Sequence, residues 1–96
     1  MTLAAKTEDS HVPVLSRFYG IIIVMYWRDH PPPHFHAMYG GHEVVVEIRS
    51  GRRIGSMPRR ALSMIELWRW RHQADLLRAW SQAEANLPVD TIVPLE

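Results

Sequence analysis

"FHAMYGGHEVVVEI", Phe35 to Ile48, alternates apolar and polar residues on both sides of Gly40-Gly41. A glycine pair between two alternating runs is the strongest local signal for a two-residue hairpin, because the tight turns that match strand twist need positive φ at their central positions. If Tyr39 faces His42, the register follows. Phe35 then pairs with Val46 and Ala37 with Val44 on one face, while His34 pairs with Glu47, His36 with Val45 and Met38 with Glu43 on the other. The first set reads as core. The second collects His34, His36, Glu43 and Glu47, and a slip of one residue would scatter them.

Upstream, "PVLSRFYGIIIVMYW" enters a β-branched apolar run whose composition suits a central strand buried on both faces, roughly Gly20 to Trp27. Downstream, Ser50-Gly51 marks another turn and "RRIGS" supplies a further short strand. Helix signals follow at once: Ser56 as cap, Pro58 in the first turn, and Ala61, Leu62, Met64, Ile65, Trp68 and His72 on one helical face. The apolar phase continues through Leu76, Ala79, Trp80 and Ala83. One unbroken helix would be roughly 40 Å long, too long for a domain of this size, so a break is expected near His72 to Asp75. "TIVPL", Thr91 to Leu95, reads as an extended tail or edge strand ended by Pro94. The expected fold is α+β: an antiparallel three- to four-stranded meander covered on one face by two C-terminal helices, or by one kinked long helix.

With 96 residues the chain supports one core, expected over residues 12–96, with residues 1–11 as a disordered extension lacking hydrophobic periodicity. Absence of cysteine excludes a disulfide framework and thiolate zinc sites, and fits a reducing, cytoplasmic setting. The longest apolar run, Ile21 to Trp27, is far short of the roughly 20 residues of a membrane helix, so no membrane span is expected. A formal net charge of +1 does not by itself indicate nucleic acid. Local charge is more telling, because five arginines and no acid lie between Ile48 and Ile65.

"HPPPHFH" holds His30, His34 and His36 within seven positions, and residues two apart on a strand project from the same side. Such a pair suits proton transfer near neutral pH, anion binding or metal ligation. The first use makes His34 and His36 catalytic candidates, with His30 and Glu47 orienting them, in a metal-independent ribonuclease scheme where the 2′-hydroxyl of RNA is the nucleophile. No cofactor is expected and no metal is favoured. Were one bound, His30, His34 and His36 would be its ligands. The structural alternative is that both rings are half-buried strand residues bonded to Glu43, Glu47 or backbone.

Arg52, Arg53, Arg59 and Arg60 are candidate phosphate ligands, the last two set against an unfavourable helix dipole; a solvated face whose arginine stems cover apolar surface is the plainer account. Trp68 and Trp80 fall on the core stripe, whereas Trp70 points away from it and is a candidate interface anchor, or an isolated surface aromatic.

"SRFYGIIIVMYWRDHPPPHFHAMYG", followed by "MPRRAL", "IELW" and "IVPLE", resembles a widespread uncharacterised bacterial family, domain of unknown function 4160. The likeness runs from about Val12 to the C-terminus. It is carried by Asp29, His30, Pro32, Pro33, His34, Phe35, His36, Ala37, Tyr39 and Gly40, then Pro58 to Leu62. The resemblance implies a small cytoplasmic protein, often encoded beside another small protein and for that reason suspected to belong to toxin–antitoxin modules. It identifies no catalytic residue. The expectation is therefore a toxin-like protein acting on RNA through a histidine pair and an arginine patch, with a cognate protein partner encoded nearby. The alternatives are a non-catalytic module binding protein, RNA or DNA (an antitoxin or regulator) and, ranked below it, a histidine-based metal-binding domain; among partners, a second copy in a homo-oligomer is a further candidate.

Overall fold

The structure, a computed structural model, describes residues 12–96. The expected extension at residues 1–11 lies outside the described residues. Among the described residues five strands form one antiparallel sheet in sequence order: β1 (Val14–Phe18), β2 (Ile21–Val24), β3 (His34–Tyr39), β4 (His42–Glu47) and β5 (Arg53–Ser56). Two helices follow, α1 (Arg59–Arg71) and α2 (Gln73–Glu84).

The central hairpin has the register its alternation implies, from His34 opposite Glu47 through Tyr39 opposite His42. Its turn needs less than expected of the glycine pair. Only Gly40 has positive φ, +60°, as in the two-residue turn that requires glycine at its first central position alone. Phe35, Ala37, Val44 and Val46 are buried on the face that the helices cover, where Trp68 meets Phe35 edge-on at 5.7 Å between ring centroids. Ile21, Ile23, Ile65, Leu76 and Ala79 complete the same core.

The sheet has one strand more than the sequence suggests, and the reason is local. Val14–Phe18 pairs with β2 through a bulge between Val14 and Ser16, which places the buried Leu15 and Phe18 three residues apart and breaks the two-residue period. Tyr19-Gly20, at φ of +49° and +83°, makes the tight turn between them. The apolar run accordingly divides: Ile21–Val24 is strand, and Met25–Trp27 already leaves it for the long connection to β3.

The helical region breaks where expected, at the single residue His72 (φ −121°, ψ 30°). Its start differs. Ser56 ends β5, the N-cap position is Pro58, and no side chain caps the helix. Thr91–Leu95 runs extended without joining the sheet. It is held by one backbone bond, Ile92 N–H to the Leu15 carbonyl at 2.8 Å, and by the Trp68 indole donating to the Val93 carbonyl at 2.9 Å. Arg69, which no periodicity singles out, is buried between α1 and the β4–β5 turn; it donates to the Ile48 carbonyl at 2.6 Å and to both oxygens of Glu66.

Candidate functional site

β3 starts directly after Pro31-Pro32-Pro33, and its alternation sends Phe35 to one face and both His34 and His36 to the other. That face is not open. Residues 25–33 fold back across it, tied to the end of α2 by Arg28 N–H to the Ala83 carbonyl and by the Trp27 indole to the Leu87 carbonyl. Trp80 closes the near side against the His34 ring, 5.1 Å between centroids. The side chains of His34 and His36 are consequently only 7% and 15% exposed, which restricts them to small ligands or to one another.

Within this enclosure the two imidazoles stand side by side, ring centroids 5.4 Å apart, and Asp29 reaches between them. Asp29 Oδ2 is 2.9 Å from His34 Nε2 and 3.6 Å from His36 Nε2. Its other oxygen accepts the His30 backbone N–H at 2.8 Å. The far nitrogen of each ring also faces an acceptor: His34 Nδ1 lies 2.7 Å from the Pro32 carbonyl, and His36 Nδ1 lies 3.0 Å from Glu43 Oε2. Tyr26 packs edge-on against His36 at 4.6 Å. Burial works to raise the Asp29 pKa, but the His30 N–H and the His34 ring outweigh it and hold the carboxyl below its ordinary value. Asp29 is therefore an anion at neutral pH.

The remaining site residues sort by location. His30 is exposed, with its ring 5.4 Å from His34. His30, His34, Glu47 and Arg52, together with Pro32, Val45 and Ile54, line one cavity of about 220 Å³ beneath the folded-back connection. Glu47 stands opposite His34 in the register but does not bond it; its carboxylate accepts the Ser50 hydroxyl instead. The arginines do not converge. Arg52 borders the cavity, Arg53 and Arg59 border an open groove along α1, and Arg60 borders a separate hollow beside Tyr19 and Tyr39. Trp70 is 70% exposed and lies in the α1 groove with Leu62 and Leu67.

Sequence reasoning gave Asp29 no role in the site, although its position offered one clue: it is the sole acid between Asp9 and Glu43 and immediately precedes the histidine cluster. Chemically, the enclosed group of Asp29, His34 and His36 offers three ligand atoms, or a carboxylate-braced imidazole pair. The adjoining cavity offers a guanidinium and an exposed imidazole for an anion.

Residues 20–81, well over half of the chain, match the family model described as a domain of unknown function, DUF4160. The chain belongs to this family. The DUF4160 segment contains the histidine cluster, Asp29, Glu43, Glu47 and all four candidate arginines, whereas β1 and the C-terminal tail fall outside it. No curated protein and no solved structure matches the chain. Among the described residues no helix is long and apolar enough to cross a membrane.

Proposed function

We propose that this protein is the toxin-like member of a two-gene module and engages RNA at the cavity lined by His30, His34, Glu47 and Arg52. The observation that carries this is convergence: His30, His34 and Glu47, read from the sequence as one group, and Arg52, read separately from the arginine patch, border a single cavity. Arg52 has no ion-pair partner among the described residues, so its charge is available to a phosphate. His30 is the accessible ring and the natural proton donor or acceptor at this place, while His34 is held behind it by Asp29 and Pro32. The family resemblance, which implies members often encoded beside another small protein, supports the two-gene setting. Expression of the chain alone should slow growth, co-expression of the adjacent gene product should relieve it, and Arg52→Ala or His30→Ala should abolish it without unfolding the protein. Unchanged growth in all these arms, with no cleavage of single-stranded RNA in vitro, would remove the proposal.

The α1 groove favours a second reading, a non-catalytic module that binds a partner protein. Trp70 and Leu67 are exposed there beside Arg53 and Arg59, which form no ion pair within 4.0 Å among the described residues; Glu66 also lines the groove but is bonded to Arg69, and an aromatic anchor with cations beside it suits an acidic, partly apolar segment. Trp70→Ala should weaken a complex with the adjacent gene product at least tenfold. Substitution separates the two surfaces: Arg52→Ala should weaken RNA binding and not the partner complex, and Trp70→Ala the reverse.

A further inference from the structure

His36 is where hydrogen bonding within the protein leaves something over. Its Nδ1 has a carboxylate partner, so in the neutral ring the proton belongs on Nδ1 and the lone pair on Nε2. That Nε2 is buried and has no hydrogen-bond partner among the described residues, and it lies 3.6 Å from Asp29 Oδ2. An orphaned polar atom at this depth is costly unless something occupies the space in front of it. His34 differs: it faces an acceptor at each ring nitrogen, the Pro32 carbonyl at Nδ1 and Asp29 Oδ2 at Nε2, and a neutral ring can donate to only one of them. A protonated His34 would satisfy both of its own acceptors as an ion pair with Asp29 but would leave His36 Nε2 as it stands.

We propose that Asp29 Oδ2, His34 Nε2 and His36 Nε2 bind one divalent transition-metal ion. One ligand atom from each of the three residues lies within 4.8 Å of the others. Ligands about 2.1 Å from a tetrahedral ion sit about 3.4 Å apart, so the observed 2.9 and 3.6 Å separations from Asp29 bracket that spacing and need only small ring adjustments. Each ligand is also fixed from behind. His34 is held by the Pro32 carbonyl, His36 by Glu43, and Asp29 by the His30 amide, the outer support that metal-binding imidazoles and carboxylates require. Two imidazoles and one carboxylate select zinc, iron, cobalt or nickel over magnesium and calcium, which need mostly oxygen ligands. His30, the third ligand expected from the sequence, is replaced by Asp29: its Nδ1 is turned to the Pro31 carbonyl and its ring is exposed.

This proposal is independent of any action on RNA, and metal binding alone tests it. Protein produced without a histidine tag and stripped with chelator should bind one equivalent of Zn²⁺ by calorimetry with micromolar or tighter affinity, and Co²⁺ should give a tetrahedral visible spectrum. Asp29→Ala and His36→Gln should each weaken Zn²⁺ binding at least a hundredfold, and Glu43→Gln about tenfold. His30→Ala and His42→Ala should leave it unchanged. Zn²⁺ should raise the melting temperature of the parent protein and not of His36→Gln, a readout that also reports whether the variant folds. No saturable binding to the parent protein below about 0.1 mM, or binding retained in folded His36→Gln, overturns the site.

Discussion

The two faces of the β3–β4 ribbon come from the same two six-residue strands and are finished by different means. On the inner face Phe35, Ala37, Val44 and Val46 are 1% exposed or less, packed against helices whose apolar stripe is itself periodic. On the outer face His34 and His36 are closed over by residues 25–33, a proline-containing connection with no period, anchored through hydrogen bonds and ring contacts, while Val45 stays half-buried and Glu43 exposed. Strand alternation decides which residues share a face. Whether a face becomes a core or a site depends on what covers it: shape-matched hydrocarbon on one side, fixed acceptors and a carboxylate on the other.

The comparison breaks most sharply at Phe35 and His36, adjacent residues on opposite faces. Phe35→Ala removes a fully buried ring from contact with Trp68 and should cost about 3–5 kcal/mol. That is a large part of the 5–15 kcal/mol typical of a domain. His36→Gln should cost about 1 kcal/mol or less while removing the orphaned ring nitrogen. Urea midpoints of the two variants measure the difference. Equal losses would mean that the outer face is a second core.

Two further substitutions sharpen the account of what joins the faces. Arg69→Leu deletes the buried guanidinium that ties α1 to the Ile48 and Arg49 carbonyls and should cost about 2–3 kcal/mol. The loss should be visible as faster amide exchange at the β4–β5 turn. Gly55→Ala acts on the edge strand. Its φ of +104° and a Cβ that would come 2.5 Å from the Glu43 carbonyl oxygen predict about 1–3 kcal/mol, with β5 detaching from β4 before the rest unfolds.

Legibility in the sequence follows the same division. Periodic features could be read: the hairpin register to the residue, the inner-face pairs, the break at His72 and the outward Trp70. Features set by irregular backbone could not. β1 was hidden by its bulge, and Asp29 by a connection whose path depends on contacts with the end of α2, more than 50 residues later in the chain. Strand pairing likewise placed Glu47 opposite His34, but side-chain bonding gave Glu47 to Ser50 and His34 to Asp29, a choice that register alone does not contain.

The smallest effect is electrostatic. The hydrogen bonds from Arg69 lower the Glu66 pKa, partial burial opposes the shift, and the charges of Arg69 and Arg53 add to the lowering. A carboxyl whose folded value lies below its unfolded one stabilises the protein at pH above the unfolded value, and that contribution disappears as pH falls through the folded value. The stability difference between the parent protein and Glu66→Gln should therefore be constant from neutral pH down to about pH 5 and shrink below the ordinary carboxylate range. Glu66 is about half exposed, so solvent screening keeps the difference small, and added salt should reduce it further. If the difference instead stayed constant through the carboxylate range, Arg69 would be held chiefly by the Ile48 carbonyl, and the tie between α1 and the β4–β5 turn would owe nothing to the charge of Glu66.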